Sequence, residues 1–181
     1  MEKHMASIII RDALLSDIET CQAIEQDAEK RFLTSDIKAI RDVVGKGGMS
    51  AEALAAAINN ELCFIAEIDQ QPVGFIALTQ YIDSWYIEEI NVVEHAQSQG
   101  VGNGLLAYIK MLAEIKRIAS INLITFKDVE WNQPYYTKKG YLSMAQERLS
   151  EQFLALWQQD NQHFAAELRV CMQLKIDVNK F

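Results

Sequence analysis

The chain has 181 residues, enough for one domain with a sizeable core, and 50% hydrophobic against 23% charged residues is the balance of a globular protein. A formal charge of −8 without a basic patch argues against a nucleic-acid surface, and no apolar run approaches the ~20 residues of a membrane helix. The acidic balance suits a cationic partner, although it also serves solubility alone.

Ser7 to Arg11 is a short β-branched run and reads as a strand. From Leu14 to Phe32, apolar residues at Leu15, Ile18, Cys21, Ile24 and Ala28 have helical spacing. Thr34 to Val44 and Ser50 to Asn59 read as two further helices joined by the flexible Gly45-Lys46-Gly47-Gly48, with Ser50 as an N-cap. Leu62 to Ile68 and Pro72 to Ile82 are apolar strands around a turn at Asp69-Gln70-Gln71.

Ser84 to Val93 reads as the next strand, and its pattern changes parity. Trp85 and Ile87 are odd-numbered, whereas Ile90 and Val92 are even, with Glu88 and Glu89 between. One extra residue in a strand resets the facing of every later side chain, so a β-bulge near the two glutamates is expected; a strand buried on both faces is the alternative.

Asn103 to Arg117 is a helix presenting Leu105, Tyr108, Ile109, Leu112 and Ile115 to a core, and Ser120 to Phe126 is a buried strand. Asn132 to Lys139 forms a short helix: Asn132 suits the N-cap, Pro134 the first turn and Gly140 the left-handed position after the end. Tyr141 to Gln146 and Arg169 to Ile176 are the last strands, with an amphipathic helix at Glu151 to Phe164 between them. The order predicts an α/β fold with a mixed sheet.

Cys21, Cys63 and Cys171 are scattered and odd in number, which favours buried thiols over a disulfide or zinc site; His4, His95 and His163 form no cluster, and no metal is expected. The first residues lack the apolar segment of a signal peptide, so a cytoplasmic location is expected. Trp85, Trp131 and Trp157 are candidates for a homodimer interface.

Two segments carry the chemistry. Gln97-Ser98-Gln99-Gly100-Val101-Gly102 lies between a strand and a helix, where glycines let backbone N–H groups converge on an anion that the helix dipole also favours; Gln97 adds a side-chain donor. The second is Asn132-Gln133-Pro134-Tyr135-Tyr136-Thr137-Lys138-Lys139-Gly140-Tyr141. The first resembles the acyl-CoA pyrophosphate motif of the GNAT N-acyltransferase superfamily. The second resembles that family's asparagine, proline, aromatic-tyrosine, basic and glycine-aromatic pattern. The order of elements from about Ser7 to Ile176 is similar to the GNAT order, with the helix between the last two strands in excess.

The resemblance implies a single GNAT-like domain over residues 1–181, with a mixed, mostly antiparallel sheet flanked by helices and with splayed central strands. It also implies acetyl-CoA as cosubstrate and an amine acceptor. The backbone of Ile90, Asn91 and Val92 would pair with pantetheine, Gln97, Ser98, Gln99, Gly100, Val101, Gly102 and Asn103 would cradle the pyrophosphate, and Asn132 would contact the cosubstrate from the far side. Tyr136 falls at the position of the family's catalytic tyrosine, a general acid for the departing thiolate. Glu88, and after it Glu89, are the candidates for the base, while residues Phe32 to Ala57 correspond to the wall of the acceptor site. Another class of function stays open, an idle acyl-CoA-binding regulatory module. A P-loop nucleotide site is disfavoured because no Lys-Ser/Thr follows the glycines.

Overall fold

The computed structural model describes residues 7–178; the leader reading over residues 1–6, His4 included, lies outside the described residues. The strands are β1 (Ile8–Asp12), β2 (Cys63–Ile68), β3 (Gln71–Gln80), β4 (Ser84–Val92), β5 (Ser120–Phe126), β6 (Leu142–Met144) and β7 (Arg169–Lys175). The α-helices are α1 (Ile18–Glu29), α2 (Lys38–Arg41), α3 (Ala51–Asn59), α4 (Val101–Lys116), α5 (Gln133–Thr137) and α6 (Glu151–Asp160). The strands hydrogen-bond in the order β1-β2-β3-β4-β5-β7-β6, with β4–β5 the parallel pair, so the expected α/β fold with a mixed, mostly antiparallel sheet is present. The chain forms two compact units, one of residues up to Thr79 with Ile87–Met111, the other of Gln80–Tyr86 with Leu112 onward.

In the first unit, β1 runs antiparallel to β2 from Ile8↔Ile68 to Asp12↔Phe64. Arg11 on β1 holds Asp17 through two guanidinium nitrogens (2.7 and 3.0 Å) and Glu67 through Nε (2.7 Å), so it ties the start of α1 to the sheet. The Arg11 hydrogen bonds also hold the Asp17 carboxyl below its usual range. The β2–β3 turn places Asp69 and Gln70 at φ +50° and +64°, the mirror-image turn that matches strand twist. On α1 the buried stripe is Cys21, Ile24, Glu25 and Ala28, so a carboxyl sits where the pattern calls for an apolar side chain.

The expected bulge is written in two backbone bonds. The Tyr81 N–H donates to the Ser84 carbonyl and the Val93 N–H to the Val73 carbonyl, so β4 advances one residue further than β3 between these bonds. Gly74 on β3 faces this region from very close. A Cβ there would stand 2.9 Å from the Asn91 carbonyl oxygen and 3.0 Å from Val101 Cγ1. Gly74→Ala therefore forces backbone to move, and it is expected to cost about 1–3 kcal/mol and lower Tm by roughly 3–10 °C in thermal denaturation. An unchanged Tm would show that β3 and α4 are not fixed at this separation.

The segment Thr34 to Val44 departs from the helix expected of it. Thr34 ends a 3-10 turn, Ser35 is extended, and its hydroxyl accepts the Ile37 N–H at 3.2 Å while its carbonyl accepts from Arg41, leaving only α2 as α-helix. A serine side chain competing for local backbone donors is the physical reason. On α4 the apolar phase is Val101, Leu105, Ile109 and Ala113, spaced one turn apart, and Ile115 is 63% exposed instead of facing the core.

In the second unit β5 and β7 pair along their whole lengths, from Ser120↔Lys175 to Phe126↔Arg169, and β6 adds to β7. Arg169 forms a fork with Asp160 through two bonds of 2.8 Å, and its guanidinium lies over the rings of Phe126 (4.3 Å) and Phe164 (4.8 Å). Paired, planar and stacked, this arginine fastens the end of α6 to the start of β7. Trp85 is 0% exposed, with its Nε1 donating to Gln80 at 3.3 Å. It packs in the core, not at a dimer interface, a correction its aromatic bulk explains. Cys21, Cys63 and Cys171 are free and buried, as expected.

Candidate active site

The pairing of β4 with β5 comprises Ser84↔Ser120, Trp85↔Ile121 and Tyr86↔Asn122, and β4 continues to Val92 beyond those pairs. Ile90, Asn91 and Val92 lie on the continuing stretch, each half-buried.

The loop after β4 turns tightly before α4. A 3-10 turn at Glu94–Ala96 follows Val93, the Glu94 N–H is held by Asp27 at 2.7 Å, and the Gln99 side chain donates to the His95 carbonyl at 2.7 Å. Ser98 (φ +62°) and Gly100 (φ +91°) take left-handed conformations, and the Gly104 N–H closes the first α4 turn on the Gly100 carbonyl. Val101, Gly102 and Asn103 thus form the opening turn at the positive end of the helix. A Cβ at Gly100 would find only Ile8 Cδ1, at 3.9 Å, so there is room beside the backbone at this position. Gln97 uses its amide to brace the loop instead of leaving it free, donating from Nε2 to the Val92 carbonyl at 3.0 Å.

The two glutamates of β4 occupy different surroundings. Glu88 accepts from the Thr79 hydroxyl at 2.7 Å; burial raises its carboxyl pKa and that hydrogen bond partly offsets the rise. Glu89 accepts from Asn91 Nδ2 at 3.1 Å, and burial first, then the charge of Glu25 on α1, push its carboxyl upward. Glu25 is the residue that pattern reading passed over. Its signal was available: a carboxylate four residues after Cys21, on the buried stripe of α1.

In the second unit, α5 carries the aromatic pair. Pro134 sits in its first turn and Gly140 has φ +90° after its end, both as the sequence predicts. Asn132 occupies the position before the helix, but its side chain does not cap it. Its φ and ψ are −117° and −110°, and Nδ2 donates to Thr125 Oγ1 on β5 at 2.6 Å, which outcompetes the local cap. The Tyr136 ring is buried, edge to face with Tyr135 (5.3 Å) and Tyr141 (5.7 Å). Asp128 and Glu130 are exposed.

The strand order, the bulged β4 and the glycine turn that opens α4 define an α/β fold shared with solved acetyltransferases. The N-acetylglutamate synthase of Neisseria gonorrhoeae, in complex with coenzyme A and N-acetyl-glutamate, is similar with a TM-score of 0.71 at 22% identity, over 95% of this chain but only 36% of the synthase. The PaiA N-acetyltransferase of Thermoplasma acidophilum, in complex with coenzyme A, gives 0.68 at 18% identity over 93% of this chain and 99% of that one. The ribosomal-protein-S18-alanine N-acetyltransferase of Escherichia coli gives 0.68 at 16% identity over 94% and 95%.

Residues 59–142 match the family model of the acetyltransferase (GNAT) domain. Among the described residues, no helix is long and apolar enough to cross a membrane.

Proposed function

We propose that this chain is an acetyl-CoA-dependent N-acetyltransferase that moves an acetyl group to a primary amine by direct attack on the thioester. The observation that carries the reading is the open glycine turn, Gly100 at φ +91° over the first N–H groups of α4, directly after a strand whose pairing with β5 has ended. Backbone N–H groups of residues 98–103 would bind the diphosphate, Ile90 to Val92 would pair with the pantetheine amides, and Asn132 would add a contact. Acetyl-CoA supplies an activated carbonyl with a thiolate leaving group.

The rest is proton handling. An alkyl ammonium has a pKa near ~10.4, so a carboxyl with raised pKa is a better-matched base than an ordinary one. Glu89, with Glu88 beside it, has that property and lies on β4. The amine nitrogen attacks the carbonyl carbon, the C–N bond forms, the C–S bond breaks, and the amine proton passes to the glutamate. Tyr136 then donates its hydroxyl proton to the thiolate, a transfer uphill by about 1.5 units from a phenol near ~10 to a thiol near ~8.5, and the phenolate is reprotonated from solvent.

The test is acetyl-CoA-dependent thiol release over a panel of amines. The similar proteins suggest glutamate and an alanine-led peptide, to which polyamines and aminoglycosides are added, with a no-amine control. Amine-dependent release is expected. Acetyl-CoA binding without transfer to any amine would overturn the enzyme reading in favour of an idle acyl-CoA-binding module.

A further inference from the structure

We infer that Thr125 is the positioning residue for Tyr136: its buried hydroxyl latches Asn132, and through the Asn132 backbone it fixes α5, with the phenol that α5 carries, against β5. The inference rests on the role proposed above for Tyr136.

Thr125 interrupts an apolar row. Side chains alternate along a strand, so Ile121, Leu123 and Thr125 share one face of β5, and they are 0%, 2% and 5% exposed. Valine has nearly the same shape and would satisfy that face. A hydroxyl withdrawn from water is costly unless it is hydrogen-bonded, and here Thr125 Oγ1 accepts from Asn132 Nδ2 at 2.6 Å.

The short helix needs such a tether. It comprises Gln133–Thr137, and a helix well under about 12 residues does not hold itself in water. Asn132 serves it from both sides of the residue: the side chain donates to β5, while the carbonyl accepts the Tyr136 N–H at 3.0 Å, the first bond of the helix. A path from the sheet to the Tyr136 backbone thus runs through one residue. At the other end, the Tyr136 carbonyl accepts the Lys139 N–H (2.9 Å) and the Tyr141 N–H (3.1 Å). Gly140, at φ +90°, turns the chain so that Tyr141 packs edge to face with the Tyr136 ring.

Gln133 adds side-chain bonds to Ser143 Oγ (3.1 Å) and from the Asp128 N–H (3.4 Å), but both are exposed, where water competes for the same groups. The Thr125–Asn132 bond is the shortest of these side-chain bonds and the one made to a buried hydroxyl. A phenol passes its proton to a departing thiolate only across hydrogen-bond distance, so the placement of Tyr136 governs the rate as much as its presence does.

The test compares Thr125→Val, which removes the hydroxyl and keeps the shape, with Thr125→Ser, which keeps the hydroxyl. Thr125→Val is expected to lower kcat by about 10–100-fold, the cost of a general acid displaced by about 1 Å, and Thr125→Ser to retain most of the rate. Added to Tyr136→Phe, Thr125→Val should cost about twofold at most, because both changes act on one step. Unchanged kcat in Thr125→Val, an equal loss in Thr125→Ser, or losses that multiply in the double variant would overturn the inference. So would a loss confined to acetyl-CoA affinity, which marks the Asn132 contact alone.

Should Thr125→Val not fold, NMR hydrogen exchange on the wild-type chain decides. A slowly exchanging Asn132 Nδ2 proton supports the latch, and exchange of both Nδ2 protons at the solvent rate refutes it. The same measurement keeps the two readings apart: absence of transfer to any amine refutes the proposed function, whereas the latch falls only with the exchange result.

Discussion

Gly100→Glu is expected to weaken acetyl-CoA binding by at least ~100-fold, about 2.7 kcal/mol, in calorimetry of the folded protein. The new carboxylate would be carried at the opening turn of α4, on a Cβ that meets only Ile8 Cδ1 at 3.9 Å. Two like charges about 5 Å apart repel by roughly 3 kcal/mol at an effective dielectric of about 20, before any loss of contact is considered. The φ of +91° adds a separate cost of about 1–2 kcal/mol to folding for any side chain. Gly100→Ala shares that backbone strain without the charge, so it isolates the electrostatic part. Affinity reduced equally in both variants would assign the loss to the altered turn, and normal affinity in Gly100→Glu would remove the cradle from residues 97–103.

That loop was legible because its physics is local. A glycine pair between an apolar strand and a helical run specifies positive φ and close backbone approach, and Gly100 and Gly140 both adopt the left-handed conformation their positions demand. The bulge was legible too, since a parity change leaves a trace in sequence that β4 then repeats in its extra residue against β3. What escaped depends on partners distant in the chain. Asn132 reads as a cap until Thr125 on β5 takes its side chain, and Glu25 reads as one more charge on a helix until the Met49 N–H donates to it.

Two further misreadings were errors of phase and competition. Ile115 is apolar and helical, but the α4 face runs through Val101, Leu105, Ile109 and Ala113. The segment after Thr34 has helix-forming composition, yet one serine hydroxyl diverts its backbone.

Tyr136→Phe is expected to lower kcat by about 10²–10⁴-fold, the range of a lost general acid, with acetyl-CoA affinity nearly unchanged. The substitution suits the site. The ring is buried between Tyr135 and Tyr141 in edge-to-face contacts that phenylalanine preserves, so packing is conserved and only the hydroxyl is lost. A purely structural tyrosine would show the reverse pattern, a lowered Tm with kcat kept. The two roles also separate by leaving group. If the hydroxyl protonates the departing thiolate, an acyl donor with a more acidic thiol needs that proton less, so the variant should recover much of its rate on an activated thioester. Equal deficits on both donors, or a kcat within twofold of wild type, would take Tyr136 out of the proton path and leave departure of the thiolate to solvent.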